Sequence, residues 1–552
     1  MENLLKQAIA DHQGGKLQLA EKSYSQILSA EPDNTEALNA MGILRLQCGN
    51  PHAALGCFDR AARLSPDTAK YHNNIGNAQL ALENSAAAIT ALERAVALAP
   101  NNAGFRANVA TARLRAGDGA GAEKDFRKAL ALDSNNYNAG QNLGALLSNQ
   151  NRLGEALPYL EQATRHPDCQ IETNLNLAST YERLHRLADA ERIINELVER
   201  DHPVTIILRA RLLRRRDQPA AALALLQETD RSIDLDTLGE EVAGDWCHEV
   251  ALCADLLGRS DLAYKNILAA KAHWRLASGG NGGEGFLEKV RLLRHGISVT
   301  NMQTGDDSDI EQMPAQVFFV GFPRSGTTLL EVILDAHPDI VTTAEAEILS
   351  SVLNRGDRSD LAAPKIRYLE AFVRLRGAVE PVTTIVDKHP LNLIYCRSMD
   401  VFFPQAKLLV ALRDPRDVVL SCLMQRFRRN AAMRNFDTLE STVALYESVM
   451  GLWLEARSSL RLPWHEYRYE DLISDRDTTL AGILNFIGVQ WHANMDEYRD
   501  FAVTREIATP SYSGVVEPIY NRAVGRWRAY EGHLAPAFDR LAPFVAAFGY
   551  DP

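Results

Sequence analysis

A repeat of 34 residues runs through residues 1–204 and limits the folds that this part of the chain can adopt. Proline stands at Pro32, Pro66 and Pro100, and Ser134 takes the next step. Small residues keep the same step at Gly42, Gly76, Ala110, Gly144 and Ala178, and alanines keep it at Ala20, Ala54, Ala88, Ala122, Ala156 and Ala190. Large apolar residues follow these alanines four positions later, at Tyr24, Phe58, Leu92, Phe126, Leu160 and Ile194. Because a step of four places side chains on one helix face, the pattern predicts six helix pairs.

The period and its landmark positions resemble those of the tetratricopeptide repeat. A less regular helical continuation extends to about residue 275. Such repeats stack into a solenoid with a concave surface, so the array is expected to dock a protein or peptide. A rigid spacer or a dimerisation arm is the alternative, and a homo-oligomer is left open.

Composition narrows the classes of function. Apolar residues make up 46% of the 552 residues and charged residues 24%, as in folded proteins. The net charge of −12, without massed Lys and Arg, argues against nucleic acid as a partner. The basic stretch between Arg209 and Arg216 favours a solvated helix face over a docking site.

Cysteine usage and the N-terminus predict where the chain resides. The seven cysteines show no CxxC spacing, which predicts neither a metal site nor disulfides and favours a reducing compartment. The first residues lack a signal-peptide pattern, and no apolar run is long enough to span a membrane. A cytoplasmic protein without a membrane span is therefore expected.

A glycine-rich break separates the repeats from a second region. Ser278–Gly285 contains five glycines, a helix is expected at Glu288–His295, and Asn301–Gln312 is polar and rich in turn formers. The chain is thus predicted to comprise an α-solenoid (1–275), a linker (276–312) and an α/β domain (313–552).

The second region opens with a strand, a loop and a helix. Gln316–Val320 is rich in β-formers, Gly321–Thr328 reads GFPRSGTT, and Leu329–His337 has helical spacing. A loop in this context directs backbone N–H groups and the positive end of the helix dipole at an anion. The spacing matches a nucleotide-binding P-loop, but Thr327 stands where a P-loop has its lysine. Because that lysine serves nucleoside triphosphates with Mg²⁺, a kinase or ATPase is disfavoured, and a phosphosulfate held partly by Arg324 is favoured.

These residues resemble the 5′-phosphosulfate loop of the sulfotransferase superfamily, and Phe403–Leu423, with RDPRD at its centre, resembles its 3′-phosphate element. Within the superfamily, residues 315–552 are most similar to the tyrosylprotein sulfotransferases. The resemblance implies an α/β domain with a P-loop-like parallel sheet and 3′-phosphoadenylyl sulfate (PAPS) as co-substrate, without a metal. It implies that the donor is bound by Arg324, Ser325, Gly326, Thr327, Thr328, Arg413, Ser421, Tyr469 and Arg526.

The same resemblance implies four residues in the transfer itself, namely Arg324, Glu345, Lys388 and Ser511. Glu345 is expected to take the acceptor proton, because a phenol with a pKa near 10 reacts more easily when a carboxylate removes its proton. Lys388 and Ser511 are expected to stabilise the leaving phosphate. His389 is a rival base.

Two departures from the family leave questions open. Gln425 replaces a donor-side arginine, with Arg426 and Arg428 nearby, and Glu347 replaces an arginine on the acceptor side. The favoured acceptor is a tyrosine of a protein or peptide. A sugar or lipid hydroxyl is the alternative, and an inactive repeat-based scaffold is another.

Overall fold

The computed structural model describes residues 1–167, 169–197, 202–230, 238–279, 283–294, 315–354, 362–376, 384–504 and 521–552. Packing divides the chain into two compact units, Met1–Tyr181 and Glu182–Pro552. The first unit is helical in its described residues, and the second joins further helices to a parallel sheet.

The predicted helix pairs are present. They are formed by α1 (Glu2–Gln13), α2 (Leu17–Ala30), α3 (Thr35–Gln47), α4 (Pro51–Leu64), α5 (Ala69–Ala81), α6 (Ser85–Leu98), α7 (Ala103–Arg115), α8 (Gly119–Leu132), α9 (Tyr137–Asn149), α10 (Leu153–Ala163), α11 (Ile171–Arg183) and α12 (Leu187–Glu196). Asparagines repeat at several helix starts, where the side chains of Asn34, Asn102 and Asn136 accept the N–H three residues later. These caps satisfy N–H groups that would otherwise lack partners.

The repeat register is explained by a small residue facing a large one. A Cβ added at Gly42 would lie 2.8 Å from Cδ1 of Phe58, and one at Gly144 would lie 2.7 Å from Cγ of Leu160. All six alanines of the predicted register are completely buried. At Gly42 and Gly144, the first helix of a pair can therefore approach the second closely only because it has a glycine opposite the large side chain of the second helix.

The second unit begins with helices. They are α13 (Pro203–Arg215), α14 (Pro219–Asp230), α15 (Glu240–Leu256), α16 (Ser260–Ala277) and α17 (Glu284–Arg294). On α13, Arg214 pairs with Glu249 at 2.5 Å, and Arg215 pairs with Glu182; both carboxylates are buried. The expectation of a solvated basic face is wrong for these two arginines, because their side chains neutralise buried acids.

The parallel sheet has the order β2-β3-β1-β4-β5. Its elements are β1 (Ala315–Gly321), α18 (Thr327–Asp335), β2 (Ile340–Thr342), α19 (Ile348–Leu353), α20 (Ala362–Arg376), β3 (Thr384–Lys388), α21 (Cys396–Phe402), β4 (Lys407–Leu412), α22 (Pro415–Leu423), α23 (Leu439–Ala456), β5 (Trp464–Arg468), α24 (Tyr469–Ser474), α25 (Arg476–Ile487), α26 (Tyr498–Thr504) and α27 (Glu531–Ala547). Strand β1 pairs with β3 on one side, where Phe319 is opposite Lys388, and with β4 on the other, where Gly321 is opposite Ala411. The predicted combination of an α-solenoid with a parallel α/β domain is confirmed.

Alternate residues of the strands enter two cores. Phe318 and Val410 belong to the core that includes α22 and α23, whereas Phe319 and Leu409 belong to the core that includes α18 and α25. Both faces are covered, as is usual for a parallel sheet with helical crossovers.

Helices α15 and α16 pack directly on the sheet domain. Ala254 and Ile267 share a core cluster with Leu420 and Trp527, and the Lys271 ammonium donates to the Gln425 carbonyl oxygen at 2.7 Å. The sequence assigned these helices to the solenoid. The boundaries at residues 275 and 313 stay predictions, and the contacts show that the sheet domain has a helical partner from before the linker.

Candidate active site at the carboxyl edge of the sheet

A predicted site residue lies at or shortly after the carboxyl end of each of the five strands. Arg324 follows β1, Glu345 follows β2, Lys388 ends β3, Arg413 follows β4 and Tyr469 follows β5. Because the strands are parallel, their carboxyl ends lie at one edge of the sheet. Ligands of open α/β sheets bind at this edge, which makes it the candidate active site.

The first loop is shaped for an anion. Gly326 is the N-cap of α18 with a left-handed φ of +84°, and the next residues, Thr327 and Thr328, are buried in the first turn. Arg324 also has a positive φ, +72°, which is unusual for a residue with a side chain. The loop therefore places its backbone at the positive end of the helix dipole, as anion-binding loops do.

Gly326 is required by a close approach as well as by its backbone angle. A Cβ at this position would lie 3.1 Å from Cγ and Cε2 of Tyr469, and closer still to Cδ2. The guanidinium of Arg413 lies over the same ring, 4.8 Å from its centroid. Gly326, Tyr469 and Arg413 thus form one packed layer.

Arg324 and Arg413 are linked to each other and to Ser421. The Nη1 of Arg413 donates to the Arg324 carbonyl oxygen at 2.9 Å, and the Nε of Arg324 donates to Ser421 Oγ at 3.1 Å. Another Arg413 nitrogen donates to the Ala523 carbonyl oxygen. The Nε of Arg413 is buried and has no hydrogen-bond partner among the described residues. Two guanidinium groups and a hydroxyl, predicted from separate motifs, are therefore brought together.

A second group of charges lies at the ends of β2 and β3. The Lys388 ammonium is completely buried and contacts Glu345 Oε1 at 2.5 Å and Glu331 Oε2 at 2.9 Å. The Glu345 side chain is 34% exposed to solvent, whereas the Glu331 side chain is 5% exposed. The sequence analysis named Glu345 and Lys388 as site residues, but it predicted no ion pair between them and missed Glu331. Its only sequence signal is its place four residues after Thr327 on α18.

Opposite charges hold this group ionised. Burial raises the pKa of Glu345, but the Lys388 ammonium, with smaller contributions from His389 and Arg324, brings the pKa below its ordinary value. Burial lowers the pKa of Lys388, and the two carboxylates raise it above its ordinary value. Glu345 is therefore a carboxylate at neutral pH, as a proton acceptor must be.

His389 lies beside these residues. Its backbone N–H donates to the Phe319 carbonyl oxygen at 3.1 Å, and its Nδ1 is buried without a hydrogen-bond partner among the described residues. Burial lowers the pKa of the imidazole, which favours the neutral form. A neutral imidazole can accept a proton, so His389 stays a candidate base beside Glu345.

A buried carboxyl group supports the turn that carries Glu345. Asp387 accepts the hydroxyl of Thr343 at 3.0 Å and that of Tyr368 at 2.9 Å. Burial raises the pKa of Asp387 to about 6. The network connects β3 to the residue two positions before Glu345.

The backbone around Arg526 contacts α22, the helix that follows Arg413, but the Arg526 guanidinium forms an ion pair on another helix. The N–H groups of Gly525 and Trp527 donate to Asp417 at 2.6 and 2.8 Å. Arg526 pairs with Asp255 of α15 at 2.8 Å. A role for Arg526 on the 3′-phosphate would require this pair to change, and that role stays a prediction.

Two further predictions concern Ser511 and the residues near the missing donor-side arginine. Ser511 lies outside the described residues. Of the three candidates near the missing donor-side arginine, Arg426 pairs with Glu241 at 2.8 Å and with Asp245, both on α15. The side chain of Arg426 therefore serves the contact between the helices and the sheet domain in this structure.

The RDPRD motif and the C-terminus belong to one network that sequence reasoning did not foresee. Arg416 donates to Asp414 within the motif and stacks on Trp527, 3.9 Å from its ring centroid. Glu470 accepts both the Asp414 N–H at 3.0 Å and the hydroxyl of Tyr550 at 2.8 Å. The second arginine of the motif is thus structural, whereas Arg413 faces the donor loop.

The described residues lack two kinds of feature. They contain no group of three or more His, Cys, Asp or Glu side chains placed to hold a metal ion. None of their helices combines the length and apolarity that crossing a bilayer requires.

Comparisons with known proteins agree with this architecture. The model of the sulfotransferase family matches residues 314–493, and that of the tetratricopeptide repeat matches residues 39–103. Protein-tyrosine sulfotransferase 2 of Gallus gallus is 27% identical over 266 residues, which cover 44% of this chain and 71% of that protein.

Two other relatives give the same picture. The protein-tyrosine sulfotransferase of Drosophila melanogaster is 25% identical, covering 44% of this chain and 52% of its own length. Protein-tyrosine sulfotransferase 1 of Homo sapiens is 27% identical, covering 43% of this chain and 70% of its own. The chain therefore joins a tetratricopeptide-repeat segment to a domain of the sulfotransferase family, and it is a sulfotransferase.

Proposed function

We propose that this sulfotransferase uses PAPS as donor and a tyrosine hydroxyl of a protein or peptide as acceptor. The observation that carries the proposal is the meeting of two charge groups at one sheet edge: Arg324 with Arg413 at the donor loop, and Glu345 with Lys388 beside them. Relatives named as protein-tyrosine sulfotransferases support the acceptor.

The residues present fit such a donor. Arg413 has a buried Nε without a partner among the described residues, and the cradle at Gly326 would be filled by a Cβ. Guanidinium groups and helix N-termini suit phosphate oxygens. PAPS would supply the sulfuryl group and leave as adenosine 3′,5′-bisphosphate.

The transfer needs one bond formed and one broken. The acceptor oxygen bonds to sulfur as the bond from sulfur to the phosphate oxygen breaks, and the acceptor proton passes to Glu345. The electron pair of the broken bond stays on the departing oxygen, where the Lys388 ammonium stabilises it. Because this charge exists only as the bond breaks, Lys388 favours the transition state over the ground state.

The repeats are proposed to hold the polypeptide whose tyrosine enters the site. Solenoids present extended surfaces to partner chains, and the array precedes the catalytic domain in the same chain. The cytoplasmic location and the possible homo-oligomer stay predictions from the sequence.

The test is a transfer assay with PAPS and a panel of acceptors, read by mass spectrometry. The panel contains tyrosine peptides with acidic and with basic flanks, the matched phenylalanine peptides, and simple sugar and lipid alcohols. Modification of tyrosine peptides alone, lost in Glu345→Gln, supports the proposal. Modification of a sugar or lipid replaces the acceptor, and tight donor binding without transfer to any acceptor favours the scaffold.

A further inference from the structure

The buried ammonium of Lys388 has two carboxylate partners that differ in access. Glu345 comes from the turn after β2 and keeps about a third of its side chain exposed, whereas Glu331 comes from α18 and is buried. Both lie within 3 Å of the ammonium nitrogen, at 2.5 and 2.9 Å. Only Glu345 is open to an incoming acceptor, so the two carboxylates cannot have the same task.

Glu331 also holds the turn on which Glu345 sits. Its Oε1 accepts the N–H of Ala344 at 3.1 Å. Ala344 and Glu345 have φ values of +49° and +64°, a left-handed conformation that is unfavourable for residues with a Cβ. Such a conformation persists where the surroundings enforce it. The carboxylate of Glu331 is one of the groups that do so, together with the Lys388 carbonyl oxygen, which accepts the Glu345 N–H at 3.1 Å.

We propose that Glu331 is a positioning residue, which holds the Lys388 ammonium and the Glu345 turn in place while Glu345 takes the acceptor proton. This inference rests on the proposed function. When Glu345 is protonated it becomes neutral, and Lys388 loses one of its two counter-charges. A buried ammonium without a counter-charge is strongly disfavoured, so the second carboxylate keeps Lys388 charged at the moment when the departing oxygen needs it.

The charges around Lys388 predict the direction in which its pKa changes when Glu331 is replaced. Burial lowers the pKa of Lys388, and only Glu331 and Glu345 oppose it among the influences resolved on this lysine. Two neighbours, His389 and Arg324, act on Glu345 and lower its pKa. Glu331 itself raises the pKa of Asp387. Without Glu331, the pKa of Lys388 falls. The protein then loses the ammonium at a lower pH, and the alkaline limb of the rate profile moves in the acid direction.

The experiment compares steady-state transfer by the full-length protein, Glu331→Gln and the control Glu370→Gln between pH 5.5 and about 10, the range set by the pKa values of the groups involved. Glu370 is an exposed carboxylate on α20. We expect Glu331→Gln to lower kcat about 10- to 100-fold and to leave KM for PAPS within about threefold. We also expect the variant to show an alkaline limb inside this pH range, whereas the wild-type protein, in which the pKa of Lys388 is raised, loses its ammonium only above the range. The control should match the wild-type protein.

Each result decides one point. A wild-type protein that transfers no sulfuryl group to any acceptor overturns the proposed function and this inference with it. An active wild-type protein with an unchanged kcat and alkaline limb in Glu331→Gln overturns the inference alone, as does a lower kcat with an unmoved limb, because a merely structural loss would not change the titration of Lys388. If Glu331→Gln does not fold, Glu331→Asp decides: a lower kcat with the alkaline limb retained supports the role, and wild-type kcat overturns it.

Discussion

Replacing Gly326 with alanine tests the geometry of the donor loop. Gly326 has φ +84°, which costs an alanine about 1–2 kcal/mol. The new Cβ would also overlap the Tyr469 ring, so the ring must move away from the Arg413 guanidinium that it stacks against. Loss of that contact costs about 0.5–2 kcal/mol, and a displaced guanidinium weakens a charged hydrogen bond to phosphate worth about 1.5–3 kcal/mol.

These costs appear in two assays. Urea unfolding should show Gly326→Ala to be less stable by about 1.5–4 kcal/mol, the sum of the backbone and ring contributions. Calorimetric titration with adenosine 3′,5′-bisphosphate should show an affinity about 10- to 100-fold lower, the equivalent of one charged hydrogen bond. Gly482→Ala, on α25, is the matched control, because a Cβ there meets no atom within 4 Å. Wild-type stability and affinity in Gly326→Ala would refute this account of the loop.

Three further predictions concern packing and charge. Phe58→Ala, which empties the space opposite Gly42, should lower the unfolding free energy by about 3–5 kcal/mol, measured by urea denaturation of the full chain. Asp255→Ala should cost about 1–3 kcal/mol in the same assay, because it removes the partner of the Arg526 guanidinium; an unchanged midpoint would contradict that pairing. Asp387 has a pKa of about 6 in the folded protein against about 3.9 in the unfolded chain. Its contribution to the unfolding free energy is therefore present below pH 4 and is lost as the pH rises through 6, a change of at most about 3 kcal/mol. Asp387→Asn should abolish this part of the pH dependence of urea unfolding.

The repeats could be predicted from the sequence because every landmark is local and recurs. Gly42 and Phe58 belong to one repeat, so their contact is written in a fixed spacing that the next repeats copy. Helix propensity and the repeat period are then enough to predict the fold of the array, since each helix pair packs mainly on its neighbours. The structure confirms this part of the fold.

The candidate site was predictable where a motif carries its own context. The loop around Gly326 sits between a strand and a helix, and Arg413 follows another strand, so a parallel sheet brings both to one edge. The family resemblance contributed Glu345 and Lys388. All of these residues could be identified from the sequence, without knowledge of their contacts in the folded protein.

Long-range contacts between ordinary residues could not be predicted. Glu331 reads as one more polar residue on α18 until β3 places Lys388 beside it. Asp255 likewise has no local signal, because its partner Arg526 lies in the last part of the chain. The arginines of α13 looked solvated for the same reason: their buried acids lie on other helices.

Calorimetric titration of adenosine 3′,5′-bisphosphate, without metal, into the wild-type protein and Arg413→Ala tests whether this edge of the sheet binds the donor. ATP with Mg²⁺ serves as the competing ligand. We expect tight binding by the wild-type protein and weak binding of ATP. We expect affinity to fall at least about tenfold in the variant, which corresponds to the loss of one charged hydrogen bond. Absent binding of the bisphosphate, or a preference for ATP with Mg²⁺, would contradict a PAPS site at this edge of the sheet.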